Sequence, residues 1–217
     1  MKYLIIIPAY NEQKYIKTLL GNLTKVASDV VVVDDGSTDS TPEIARGTGV
    51  EVITQRHQGK GAALRTGFNY AVAKGYDWVI TMDSDCQHDW QDVPRFVEAM
   101  TKNGTSIIVG SRLFEAGRMP VVRRLTNKFM SGLISRLIRC RVPDTQCGFR
   151  AINSTVLKGI RLETSHYDTE SELLIKSGKA GYKISFIPIK TIYNGAPSNI
   201  NKFTDTMRFL KLLVRTI

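Results

Sequence analysis

The stretch VITMDSDCQHD, residues 79–89, begins as a buried strand and ends as a cluster of acids. Its apolar run, Trp78–Met82, stops at Asp83-Ser84-Asp85, and Gln87, His88 and Asp89 follow. A short apolar run bounded by polar turns reads as a strand covered on both faces. The pattern recurs upstream. Tyr3–Ile7 runs into Pro8-Ala9-Tyr10-Asn11-Glu12, and Val30–Asp34 runs into Asp35-Gly36-Ser37-Thr38-Asp39. Val50–Thr54, Ser106–Gly110 and Lys183–Ile187 are further strand candidates. Helical spacing of apolar residues predicts helices over 12–26, 41–46, 60–74, 90–102, 121–139 and 168–177. The second has Thr41 as candidate N-cap and Pro42 at the first helical position. Strands alternating with helices predict an α/β fold, a mostly parallel sheet with helices on both faces.

In such a sheet ligands lie outside the carboxyl ends of the strands. Three strands here end in acids, which brings like charges together, an unfavourable arrangement unless something positive binds. Asp39 has a second reading, as an ordinary helix cap. Aspartates two residues apart at a strand end suit Mg²⁺ or Mn²⁺, hard cations that take one or two carboxylates together with substrate phosphates. Gln87 offers another oxygen. Cys86 lies among these residues, but a hard cation does not select sulfur, and it reads as a small filler.

The 217 residues suffice for one sizeable core. Thirty Lys and Arg against 20 Asp and Glu leave a formal charge of +10, which favours an anionic partner without choosing among nucleic acid, phosphorylated ligand and acidic membrane. Cys86, Cys140 and Cys147 match no zinc spacing and are expected as free thiols in a reducing compartment. No apolar run has the roughly 20 residues of a membrane span. The start, MKYLIIIPAYNE, is too short for a signal peptide and reads as a first strand.

GKGAALRTGF, residues 59–68, opens a helix; its backbone N–H groups with Lys60 or Arg65 suit a phosphate, although the P-loop spacing is absent. Downstream, Arg112, Arg118, Arg123, Arg124, Lys128, Arg136, Arg139 and Arg141 face one acid, Glu115. Val122, Leu125, Phe129, Leu133 and Leu137 interleave at helical spacing, a stripe that can pack or lie in a membrane interface. The tail repeats the pattern, with Phe203, Met207, Leu210, Val214 and Ile217 on one stripe and Arg208, Lys211 and Arg215 on another. Residues 200–217 are expected as a C-terminal amphipathic helix, without a transmembrane segment. His57, His88 and His166 form no Ser-His-Asp or Cys-His grouping that spacing supports.

The segments IIIPAYNE, VVVDDGSTD, GKGAALRTGF, MDSDCQH, GSR and DTQCGFRA follow one another in this order. As a set they resemble the inverting glycosyltransferases of family 2, specifically the dolichyl- or polyprenyl-phosphate sugar synthases. The resemblance covers roughly residues 1 to 195. It implies a GT-A fold, here a single Rossmann-like nucleotide-binding domain over 1–217. It implies that Pro8, Ala9, Tyr10 and Glu12, with Asp34 and Asp35, hold the donor's nucleoside. Asp83, Asp85 and Gln87 place Mg²⁺ or Mn²⁺ on the diphosphate. Arg112, with Arg123 or Arg124, grips the acceptor's phosphate, and Asp144 and Gln146 face the sugar. Asp83, Asp85 and Arg112 then lie nearest the chemistry, and Lys60 belongs to the substrate site.

The implied reaction moves a hexose from GDP-mannose or UDP-glucose to a polyprenyl or dolichyl phosphate, with inversion. A phosphate monoester has its second pKa near about 6 and needs little deprotonation. Many family members append membrane-spanning segments, which this sequence lacks. The expected setting is peripheral, at the cytoplasmic membrane face, reached through the basic amphipathic stretches or a membrane subunit. One alternative is a hydroxyl acceptor on a polysaccharide or protein, with a base drawn from Asp168 or Glu170; first-turn acids favoured by the helix dipole are the plainer reading of that pair. Another is a nucleotidyltransferase, against which PAYNE is acidic and lacks glycine. Nucleic acid is not the expected partner, because three acidic strand ends repel its backbone.

Overall fold

The structure, a computed structural model, describes residues 1–102, 104–112, 121–192 and 202–216. Seven strands form one sheet: β1 Tyr3–Ala9, β2 Val30–Asp34, β3 Glu51–Thr54, β4 Trp78–Thr81, β5 Ile107–Ser111, β6 Arg150–Asn153 and β7 Ile184–Pro188. Their order is β3-β2-β1-β4-β6-β5-β7. All neighbours pair in parallel except β6, which runs antiparallel to both β4 and β5. The helices are α1 Ile16–Leu23, α2 Thr41–Arg46, α3 Lys60–Ala73, α4 Val93–Met100, α5 Val121–Ile138, α6 Ser154–Gly159, α7 Thr169–Lys179 and α8 Lys202–Thr216.

The chain steps from β1 outward to β2 and β3, then returns across β1 to β4. Right-handed crossovers therefore put α1 and α2 on one face and α3 on the other. The reversal between β1 and β4 is the switch point, and a crevice opens beyond their carboxyl ends. The strands are apolar throughout because both faces are covered: Ile5, Ile6, Ile7, Val31, Val32, Val33, Val79 and Ile80 are buried. Close approach of α3 to β1 is made at Gly67, where a Cβ would come within 2.6 Å of the Ile6 side chain.

Several elements differ from the expectation. Helix α1 starts at Ile16 instead of 12, because Glu12 and Gln13 donate their N–H groups to Thr41 Oγ1 and Asp39 Oδ2. Thr41 is the first helical residue of α2 and not its cap; Ser40 holds that position. The expected helix over 90–102 begins as a 3₁₀ turn, Trp90–Asp92, with Asp89 accepting from Gln91 N, and Pro94 stands in the first turn of α4. Strand β6 and helix α6 were not expected. A four-residue strand with Arg150 in it has no periodicity to read, and its place is set by pairing with β4 and β5.

Candidate active site

The loops after β1 and β2 are stitched together by short polar side chains. Asn11, in the left-handed region at φ 56°, donates its N–H to Ser37 Oγ, and its Oδ1 accepts from Thr38 N. Asp39 accepts from Gln13 N and Thr41 N, so its helix-start reading and its place in the cluster are one arrangement. Pro8 and Ala9 end β1 in register with Val33 and Asp34, and Asp35 N donates to Ala9 O. Asp34 is 1% exposed; Oδ1 accepts from Ser37 N, and Oδ2 has no hydrogen-bond partner. Tyr10 is exposed and stacks on the His57 ring at 4.1 Å. Asp35, expected against the nucleoside, is instead committed to the protein. It accepts from Gln55 Nε2, Gln58 N and Gly59 N, and lies 2.9 Å from His57 Nδ1. This fixes the entry to α3, where Gly59 sits at φ 100°.

The end of β4 carries the acids. Asp83 Oδ1 pairs with Lys60 Nζ at 2.5 Å, and the same ammonium meets Glu170 Oε1, in the first turn of α7, at 2.8 Å. Burial opposes the charge on Asp83, but Lys60 above all holds its carboxyl well below the usual range. Burial likewise opposes the Lys60 ammonium, and Asp83 and Glu170 outweigh it. Lys60 was expected to meet phosphate; its ammonium is directed at two carboxylates. The glycines of its segment serve packing: a Cβ on Gly61 would overlap Thr169 Oγ1, and Arg65 donates to Thr164 O. Asp83 also rests on Gly148, where a Cβ would stand 2.4 Å from Oδ1.

Asp85 accepts from Gln87 N, closing a turn in which Cys86 takes φ 57°. Gln87 is half-buried, and its carbonyl accepts from Ile192 N. Glu12 faces this turn. Burial first, then the charges of Asp85 and Asp83, push its pKa up to about 7. The crowding read from three acidic strand ends is therefore present in the fold. Among the described residues no three His, Cys, Asp or Glu side chains converge as a complete metal cage. The donor set still fits Mg²⁺ or Mn²⁺, which need only one or two carboxylates when phosphate oxygens complete the shell. The carboxylates available are those of Asp83 and Asp85, whose charges also press on Glu12.

Across the crevice, Arg112 follows β5. It is 7% exposed and pairs bidentately with Asp144, Nε to Oδ2 at 2.8 Å and Nη2 to Oδ1 at 2.9 Å. Asp144 also accepts from Asn127 Nδ2 and Gln146 N. Burial disfavours the Asp144 carboxylate, but Arg112 and Asn127 bring its pKa down to about 2. Asp144 was expected to face the sugar. It is fully buried, and its place is behind Arg112, because a guanidinium so far from water needs a paired anion. Gln146 is half-buried and donates to Met130 Sδ. The side chains of Arg123 and Arg124, like Glu115 and Arg118, lie outside the described residues.

Three residues of this region escaped sequence reasoning. Asn127, on α5, orients Asp144. Arg150 is 1% exposed and donates only to main-chain carbonyls in its described bonds, those of Thr145, Cys147 and Glu170. His88 is buried between Phe149, its ring 5.4 Å away, and Cys147 Sγ, 3.9 Å from Nε2. Burial, with Arg112 and Lys60 nearby, lowers its pKa to about 4 against the pull of Asp83. Burial pushes the Cys147 thiol up to about 12.

Of the two readings of the apolar stripes, packing or a membrane interface, packing holds among the described residues only for Leu133 and Leu137 of α5, which lie half-buried against the core. On α5 the buried residues are Asn127, Met130, Ser131 and Ile134, while Leu125 and Phe129 are 60% and 62% exposed. On α8 they are Phe209, Leu212 and Leu213, while Met207, Leu210 and Val214 face outward. Phe203 and Ile217 lie outside the side chains described. Among the described residues no helix is long and apolar enough to cross a membrane.

The Glycosyl transferase family 2 model matches residues 4–161. The chain belongs to this family. This glycosyltransferase is 34% identical to the UDP-N-acetylglucosamine–dolichyl-phosphate N-acetylglucosaminyltransferase of Methanococcus voltae, over 98% of this chain and 94% of that one. It is 30% identical to the dolichyl-phosphate hexose transferase of Haloferax volcanii, over 97% and 92%. Among solved structures, glucosyl-3-phosphoglycerate synthase from Mycobacterium tuberculosis, in complex with Mn²⁺, uridine-diphosphate and glucosyl-3-phosphoglycerate, superposes with a TM-score of 0.80. It covers 99% of this chain and 79% of its own at 20% identity, a likeness of fold. That fold is GT-A, as the sequence motifs implied.

Proposed function

We propose that this glycosyltransferase moves a hexose from a nucleotide diphosphate sugar to the phosphate of a polyprenyl or dolichyl phosphate, inverting the anomeric carbon. The observation that carries the reading is that the acids Glu12, Asp83 and Asp85 and the buried Arg112 stand after β1, β4 and β5 at the carboxyl edge of one sheet. The names of relatives matching nearly the whole chain support it.

Asp34, through its unpartnered Oδ2, and the exposed Tyr10 ring, with Pro8 and Ala9, offer the nucleoside a hydrogen-bond acceptor and a stacking surface. Asp83 and Asp85, with Gln87, would hold Mg²⁺ or Mn²⁺, and Glu12 stays with the donor's nucleoside. Bound there, the cation supplies charge stabilisation to the departing nucleoside diphosphate. Arg112, oriented by Asp144, draws the anionic acceptor toward a site that already holds a diphosphate; Arg123 or Arg124 is assigned with it to the acceptor phosphate, and Gln146 to the sugar. The acceptor oxygen is already anionic near neutral pH, so no general base is required. A hydroxyl acceptor would require one. Of the two candidates, Glu170 is committed to Lys60 at 2.8 Å and Asp168 accepts from His166 N, which favours the phosphate acceptor.

The acceptor's lipid chain calls for a membrane surface, reached peripherally from the cytoplasmic side, alone or with a membrane subunit. The outward Leu125, Phe129, Met207, Leu210 and Val214, on helices that also expose Lys128, Arg136, Lys211 and Arg215, support that contact. The test is incubation with Mn²⁺, a panel of nucleotide sugars and a polyprenyl phosphate, with the glycolipid detected by mass. A glycosyl phosphate lipid is the expected product. Transfer to hydroxyl acceptors but to no lipid phosphate would refute the proposal.

A further inference from the structure

Arg150 presents a problem the fold alone does not explain. It is a buried cation, 1% exposed, at the start of the short antiparallel strand β6. Burying a charge is costly unless it is fully satisfied. Its described bonds go to three carbonyls, Nε to Cys147 O at 2.7 Å, Nη2 to Thr145 O at 2.7 Å and Nη1 to Glu170 O at 2.6 Å. An apolar residue could fill a sheet position at lower cost, so the value of the arginine lies in what those carbonyls belong to.

Each belongs to a segment that ends on a site residue. Thr145 and Cys147 bracket the loop whose start, Asp144, grips Arg112. The next residue in that loop, Gly148, abuts the Asp83 carboxylate, and its carbonyl accepts from Thr81 Oγ1 at the end of β4. Glu170 belongs to the first turn of α7, and its side chain holds the Lys60 ammonium that pairs with Asp83. One planar guanidinium thus fixes both supports of Asp83, Gly148 beneath it and Lys60 beside it, and braces the loop behind Arg112. Three rigidly spaced donors are required, which a lysine's single ammonium cannot reproduce in the same plane.

We propose that Arg150 is a positioning residue that sets the orientation of Asp83 toward the divalent cation and of Arg112 toward the acceptor phosphate, without touching either ligand. The inference rests on the metal and acceptor roles proposed above. The experiment compares wild type with Arg150→Lys and Arg150→Met, at a temperature where circular dichroism shows each folded. Binding of Mn²⁺ with UDP is followed by calorimetry, and transfer to a short polyprenyl phosphate by kinetics. Removing such a support is expected to weaken Mn²⁺–UDP binding by about tenfold and lower kcat by about tenfold or more in Arg150→Met, with Arg150→Lys between it and wild type. A residue that only stabilises the fold would lower the melting midpoint and leave the constants of the folded protein unchanged. That result, with both constants within twofold of wild type in a folded Arg150→Met, overturns the proposal. Should Arg150→Met not fold, Arg150→Lys decides alone: wild-type constants overturn the proposal, weakened Mn²⁺–UDP binding supports it. Wild type that neither binds Mn²⁺–UDP nor transfers sugar takes the proposed function down with it, a failure distinguishable from that of the clamp.

Discussion

Along the carboxyl edge of the sheet, the loops after β1 and β2 are held by short polar side chains, and the loops after β5 and before β6 by buried full charges. On the first side Asn11, Ser37, Thr38, Asp39 and Thr41 exchange hydrogen bonds with nearby backbone. On the second, Arg112 and Asp144 form an ion pair with almost no access to water, and Arg150 spends its donors on carbonyls. Turn-forming residues can shape a loop by local preference. A buried ion pair forms only when the fold has brought distant segments together and supplied further hydrogen bonds. Both sides join segments far apart in the chain; the donor side does so with cap-like hydrogen bonds of short side chains, the acceptor side with buried full charges.

The difference leads to graded outcomes. The largest concerns Asp85, which is assigned to the cation and not to the core. Asp85→Ala is expected to reduce transfer on the order of 10³-fold, roughly 4 kcal/mol of transition-state stabilisation, with urea unfolding unchanged. Near-normal turnover in the presence of EDTA would remove the metal from the account.

Stability separates the two loop systems. Asp144→Ala strands the Arg112 guanidinium without its anion and should cost about 3–5 kcal/mol in urea unfolding. Asp39→Ala removes the acceptor of Gln13 N, Thr41 N and Thr41 Oγ1 and should cost about 1 kcal/mol. Equal losses would show that the contrast drawn between the loops is not energetic.

Acid gives a smaller effect than removing Asp144 outright. The Asp144 pKa is lowered in the fold, from 3.8 to about 2. Its contribution is therefore fully present above pH 4 and is lost as pH falls through the folded value. The amount is about 2 kcal/mol, seen as a fall in the unfolding midpoint between pH 4 and pH 2 that is smaller in Asp144→Asn, where Asp83 still contributes.

What could be read from residues follows the same divide. The runs Tyr3–Ile7, Val30–Asp34 and Trp78–Met82 announce parallel strands because burial on both faces demands unbroken apolar sequence. The acids after them announce a cation because like charges at neighbouring strand ends need one; burial first, and then that crowding, raises the pKa of Glu12. Asp35 and Lys60 were assigned to substrate because a carboxylate and an ammonium at a sheet edge look alike whether they face ligand or protein. Only folding reveals that Asp35 collects the backbone of Gln58 and Gly59, and that Lys60 meets Glu170, distant in sequence. The helical stripes were found, but not which side turns inward, since α5 buries Asn127 and Ser131 to reach Asp144 and leaves Leu125 and Phe129 outside.

By itself the sequence determined the alternation of strands and helices, the acidic strand ends and the order of the family's motifs, because each depends on residues within one turn or one strand of each other. Tertiary structure alone decided that β6 enters between β4 and β5, that Asp144 stands behind Arg112 and that Arg150 braces both sides of the crevice. Those arrangements are choices among partners far apart in the chain, and a buried charge has no preferred partner until the surrounding fold has excluded water from it.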